Sequence, residues 1–256
     1  MPLNYARRLT GRDRTPAANR QLGWVLAFIA GATNAGAFLA VQQYTSHMTG
    51  MVSSMADHLV LGDIALAAGA FGALVSFLCG AAVCAVLVNF ARRRRLASQF
   101  ATPLLLEAAL LLLFGLIGGQ LSSVRGIFVS VTVMILCFMM GLQNAVITKV
   151  SRAEIRTTHV TGLITDIGIE LGKMLYWNRT PEHSAVRVVA DRDRLFMLSV
   201  LVFAFFAGGV IGAVGFQQLG YAMTIPLALI LVAVSVIPAI DDVKAHLSKG
   251  LSKDGA

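Results

Sequence analysis

Two four-residue words hold most of the side chains with chemical potential: His47-Met48-Thr49-Gly50 and His159-Val160-Thr161-Gly162. In each, an imidazole able to bind a solute, carry a proton or hydrogen-bond a carbonyl precedes a hydroxyl and a glycine that admits close backbone approach. Each word follows a polar run and precedes a short apolar stretch, which predicts the start of a helix with Thr49 or Thr161 near its cap. The first N–H groups of such a helix lack intrahelical partners, and its aligned dipoles place partial positive charge there. Two such ends brought face to face favour an anion or a carboxylate-bearing solute. The plainer alternative is a tight helix start packed against its mate.

Further polar residues belong to the same constellation. Asn34 and Asn144 precede the two words at nearly equal distances and lie in apolar surroundings, where an amide is expected to face protein or water rather than lipid. On the short helices Gly50, Ser54 and His58 share a face, and so do Gly162, Asp166 and Glu170. Asp166 is the candidate for ion or proton coupling. Asp57, His58 and Glu170 are expected to be hydrated at the surface ends of their helices. No His-x-x-x-His pair, phosphate loop or nucleophile elbow occurs, so no catalytic residue, metal site or cofactor is assigned, and the chain is not read as an enzyme.

These residues sit in a duplicated framework. Gly31-Ala32-Thr33-Asn34-Ala35 stands upstream of the first word as Gly141-Leu142-Gln143-Asn144-Ala145 stands upstream of the second. The chain divides into a basic leader (1–21), a first repeat (22–120), a second repeat (121–240) and a short tail (241–256). With 57% hydrophobic and 13% charged residues and a mean hydropathy of +0.75, it is too apolar for an ordinary soluble domain. Six apolar runs, 22–42, 64–90, 103–119, 126–148, 195–216 and 221–240, approach the length that a hydrocarbon layer of roughly 30 Å requires. The segments 48–62 and 160–172 are too short and too polar to span alone, which predicts re-entrant half-helices covered by protein.

The net charge of +8 is concentrated in loops, so it reflects membrane topology rather than nucleic-acid binding. Placing the N-terminus inside, with three spans and one half-helix per repeat, puts every Lys and Arg except Arg125 on the cytoplasmic side, including the run Arg92 to Arg95. Making the half-helices full spans would instead place Arg92 to Arg95 and the Lys149 to Arg156 connector outside. Three spans per repeat is odd, so the second copy is expected to be inverted, as in many transporters. Cys79, Cys84 and Cys137 all fall inside apolar runs, behave as small hydrophobes and receive no chemistry.

The combination of Gly31 to Phe38, Ser46 to Gly50, Gly141 to Ala145 and Arg156 to Gly162 resembles the YoaK-like family of bacterial inner-membrane proteins. That resemblance covers roughly residues 22 to 240. It implies a six-span inner-membrane protein but, the family being of unknown function, no substrate. Many members look to have Asp at the position of Asn34 and Asn at that of Met51, so proton coupling through that acid is in doubt for this chain.

The expected protein is therefore all-α and polytopic, with six transmembrane helices plus two re-entrant half-helices in an inverted 3+3 repeat. It lies in the bilayer of a bacterial inner membrane with both termini cytoplasmic, with homo-oligomerisation possible. Its expected role is a small transporter or permease for an anionic or polar solute held by His47, Thr49, Gly50, His159, Thr161, Gly162, Asn34 and Asn144. The alternative is a non-transporting scaffold or regulatory protein, with an intramembrane enzyme behind it.

Overall fold

A computed structural model describes residues 15–96, 98–119, 127–150, 159–176 and 188–251. The basic leader before Thr15, the turn containing Arg125, the connector 151–158, the glycosylation-sequon match Asn178-Arg179-Thr180 and the tail beyond 251 lie outside the described residues. Among the described residues the fold is entirely helical: α1 (Pro16–Val41), α2 (Met48–Leu61), α3 (Ile64–Arg93), α4 (Ala101–Gly118), α5 (Ile127–Val150), α6 (Val160–Leu175), α7 (Arg192–Leu219) and α8 (Thr224–Leu251), with a 3-10 turn at Gly220–Met223.

Among the described residues five stretches are long and apolar enough to cross a membrane: Pro16–Val41, Ile64–Arg93, Ala101–Gly118, Ser130–Val150 and Arg192–Ile237. The last is 46 residues long and contains the break at Gly220, whose φ of 60° suits glycine, so it is divided between α7 and α8. Large apolar side chains such as Phe71, Leu116, Phe203 and Phe206 stand exposed, as expected of surfaces that meet lipid rather than water. At 14 and 16 residues, α2 and α6 fall short of the roughly 20 that a span requires.

Local chemistry explains the helix ends. α1 begins ahead of its expected start at Leu22, because Thr15 Oγ1 accepts a hydrogen bond from the Ala18 N–H at 3.2 Å and Pro16 occupies the first turn. It ends at Gln42, which is left-handed (φ 55°) and returns its N–H to the Phe38 carbonyl. Gly62 (φ 83°) closes α2, and α3 starts two residues later, so the half-helix is tied directly to the span that follows.

The most extensive pairing is α1 with α7, followed by α3 with α5 and then α4 with α8, while α1 also meets α5. Each half-helix packs on the helix after it, α2 on α3 and α6 on α7. Exchanging α1 to α4 for α5 to α8 maps the first two pairings onto each other and the third onto itself. Burial follows the same exchange: 56% of the apolar window in both α1 and α5 is buried, against 22% in α3 and in the 192–237 stretch. Thus α1 and α5 form the centre.

A repeated Phe-x-x-Gly word produces the close pairings. Phe28 and Gly31 on α1 meet Phe205 and Gly208 on α7, and Phe138 and Gly141 on α5 meet Phe77 and Gly80 on α3. A Cβ at Gly31 would lie 2.0 Å from the Phe205 carbonyl oxygen, and one at Gly208 would lie 2.0 Å from that of Phe28. The other pair is the same: 2.0 Å from Gly141 to the Phe77 oxygen and 1.9 Å from Gly80 to the Phe138 oxygen. Glycine at all four points lets backbones touch, the means of association favoured where lipid removes the hydrophobic drive between helices.

Candidate functional site

The two His-x-Thr-Gly words do open short helices, although the caps differ from the expectation. His47 and His159 occupy the N-cap positions, and neither side chain makes a capping hydrogen bond. The first intrahelical bonds run from Met51 N to His47 O and from Leu163 N to His159 O, both at 3.1 Å. Thr49 and Thr161 stand one residue inside the helix rather than at the cap. Each imidazole folds back over its own first turn: a Cβ at Gly50 would lie 2.9 Å from His47 Nδ1, and one at Gly162 would lie 2.2 Å from His159 Nδ1. The glycine in the word therefore makes room for its own histidine.

The upstream asparagines hold the approach to these helices. Asn34 Oδ1 accepts a hydrogen bond from Ser46 Oγ at 3.1 Å, tying the polar connector to the buried middle of α1. On α5, Thr148 Oγ1 donates to the Asn144 carbonyl at 2.7 Å. Between the repeats, the fully buried Gln143 donates from Nε2 to the Leu26 carbonyl at 3.2 Å, bridging α5 to α1 at the centre of the bundle.

These parts surround one cavity of about 1,210 Å³. Asn34, His47, Thr49, Asn144, His159 and Thr161 all line it, together with Tyr44, Ser46, Met48, Phe77, Ala81, Ala85, Gly141, Ala145, Thr148, Lys149, Val160 and Phe205. Six of the eight residues singled out for solute binding are thus brought together from both repeats. Gly50 and Gly162 are not among the lining residues and face their histidines instead. Among the described lining residues the single formal charge is Lys149, and no carboxylate is present. One lysine and two uncapped helix N-termini make this surface electropositive.

Asp166 lies elsewhere. Its Oδ2 accepts from Arg194 Nη2 at 3.0 Å, with 40% and 50% of the two side chains exposed, and it does not line the cavity. Glu170, expected to be hydrated, has only 2% of its side chain exposed. It accepts from Lys173 Nζ and from the Asp191 N–H, both at 2.8 Å, while Asp191 Oδ1 caps α7 by accepting from the Arg194 N–H at 2.9 Å. The Lys173 hydrogen bond first, and then that from the Asp191 backbone, hold the Glu170 carboxyl below its ordinary pKa. This network fastens α6 to the start of α7 across a long connection, the task that Gly62 and Asp63 perform covalently between α2 and α3. The acidic face of the second half-helix is accounted for by that anchoring.

The DUF1275 family pattern matches residues 22–237, most of the chain and both repeats. The chain belongs to the DUF1275 family. DUF1275 is described as a protein family of unknown function. No match was found among curated proteins or among solved structures. For this DUF1275 protein the cavity therefore has to be interpreted from its own residues. The lining residues not singled out in the sequence include Lys149, which read as a topology marker, and Tyr44, Phe77 and Phe205. The recurrence of Phe-x-x-Gly marks the last two, since Phe77 and Phe205 open two of the four copies that meet in the close helix contacts.

Proposed function

We propose that this DUF1275 protein is a small membrane transporter that carries an anionic solute through the cavity between its two half-helix N-termini. The observation that carries the reading is the convergence of both His-x-Thr-Gly words on one surface that contains Lys149 and, among the described residues, no carboxylate. In this reading α1, α3, α4, α5, α7 and α8 are six spans, α2 and α6 are re-entrant, and the repeats are inverted, with both termini cytoplasmic in a bacterial inner membrane. The exchange symmetry of the helix pairings and the distribution of Lys and Arg support that topology. The YoaK-like resemblance is consistent with the family.

The solute would enter where the uncapped amides of α2 and α6 face the cavity. His47, His159, Thr49 and Thr161 would supply its hydrogen bonds, with Asn34 and Asn144 positioning the walls. None of these groups needs to act as a nucleophile or metal ligand, so the role proposed is carriage rather than catalysis. Purified protein in liposomes, tested with a panel of labelled anions, cations and neutral solutes, should move anions. His47→Ala and Thr161→Ala, one from each repeat, should each reduce that flux strongly. Flux of no solute, or flux indifferent to both substitutions, would remove the basis of the proposal.

A further inference from the structure

We infer that the ligand of this cavity is an organic monocarboxylate with an apolar body, its carboxylate paired with Lys149. The inference rests on the proposed function for the location of the site, but it concerns binding and is tested apart from transport.

Three observations combine. First, Lys149 is the one Lys or Arg among the described lining residues and no Asp or Glu is among them, so the fixed charge of the described wall matches a single negative charge. A dianion would bring a second charge that no described cation of the wall meets, and desolvating it without a partner is costly. Second, the two repeats are equivalent in their histidines, threonines and asparagines but not here. Aligning Asn34 with Asn144 places Leu39 opposite Lys149. The charge is therefore confined to one side, which orients the ligand. Third, much of the remaining wall is apolar or aromatic. Phe77 and Phe205 approach from the two repeats, Met48 and Val160 flank the histidines, and Tyr44 stacks on Phe38 with ring centroids 4.8 Å apart.

A small inorganic anion would leave those rings in contact with water. The volume of about 1,210 Å³ is instead in the range of, or somewhat above, pockets that hold molecules of tens of atoms. An apolar body against the phenylalanines with a carboxylate at Lys149 satisfies both halves of the surface, the head by a charge-assisted hydrogen bond and the body by burial.

Two sources supply such a molecule, a soluble aromatic acid and a fatty acid from the membrane, and phenylacetate and decanoate represent them. Calorimetric binding to the full-length protein in detergent should detect at least one of the two. Phenylacetamide and phenethylamine, of similar shape but neutral and cationic, should bind at least about tenfold more weakly than phenylacetate if the aromatic acid is the ligand. Lys149→Met should weaken the carboxylate by about tenfold or more, and Lys149→Arg should retain it. Tighter phenylacetate assigns the soluble source and tighter decanoate the lipid-derived one. The inference is overturned by amide or amine binding as tight as the carboxylates, by sulfate competing with them, by binding unchanged in Lys149→Met, or by no carboxylate binding at all. The ligand comparison on the unsubstituted protein decides the matter even if Lys149→Met does not fold. Carboxylate binding without flux would uphold this inference and sink transport, whereas flux of inorganic anions without binding of either carboxylate would do the reverse.

Discussion

Alanine at Gly31 tests the helix contact that forms one wall of the cavity. Its Cβ would sit 2.0 Å from the Phe205 oxygen and 2.9 Å from the Gly209 nitrogen, both backbone atoms that cannot rotate aside. To reach even 3.0 Å, α1 and α7 must separate by about 1 Å, and a gap of that order forfeits a quarter to a half of the dispersion well for contacts near it. The expected cost is at the upper end of the overpacking range, about 3 kcal/mol. Gly141→Ala should cost nearly the same, because its Cβ meets the Phe77 oxygen at the same 2.0 Å. Gly168→Ala is the control: nothing lies within 4 Å, so the helix should gain about 0.5–1 kcal/mol from the better helix former. Chemical denaturation in mixed micelles, followed by helical circular dichroism, measures all three. If Gly31→Ala falls within about 0.5 kcal/mol of the parent, the range of a neutral surface change, the backbone contact is not what joins these helices.

Other outcomes follow from the same geometry. Gly50→Ala and Gly162→Ala should displace their histidine rings and lower anion flux while leaving the helix pairings intact, with the second more severe because its clearance is 2.2 Å rather than 2.9 Å; loss of folded protein instead of flux would refute this. Glu170→Gln should loosen the tie between α6 and α7, read as faster proteolysis of the 176–191 connection. Because the Glu170 pKa is lowered in the folded state, its stabilisation is complete above the ordinary value near 4.3 and is lost as pH falls through the lower folded value; the substitution should accordingly remove an acid-induced loosening, not an alkaline one. Glu107 is 1% exposed and its Oε2 has no hydrogen-bond partner among the described residues. Glu107→Met should therefore stabilise the protein by about 1–3 kcal/mol, and a loss of stability would mean that the carboxyl has a partner.

The starts of α2 and α6 were readable in the sequence because a polar connector followed by a repeated word bounds each one, and each copy corroborates the other. The histidine, threonine and asparagine positions were readable for the same reason. Lys149 was not, because it occurs in one copy alone and a lysine after an apolar run ordinarily marks a membrane boundary. The glycines of the two words were legible as special positions, but their neighbour, the folded-back imidazole, depends on the N-cap conformation of His47 and His159. The start of α1 was hidden because Thr15 and Pro16 lie in an arginine-rich leader without apolar periodicity. α8 runs to Leu251 rather than stopping near residue 240, since a helix leaving the bilayer need not end where its hydrophobicity does. Glu170 was misleading because local spacing gives its face and its neighbour Lys173, while its second partner, the Asp191 N–H, is far along the chain.

The central claim is that residues from both repeats form one anion-attracting surface. Thr49→Cys and Thr161→Cys, each in a protein whose three native cysteines have been replaced, can be reacted with methanethiosulfonates carrying either a sulfonate or a quaternary ammonium group. After normalising each rate to that of free cysteine, both positions should favour the negative reagent, and Lys149→Met should reduce the preference at both. Preference for the positive reagent, or a charge preference at only one of the two positions, would contradict a shared electropositive cavity.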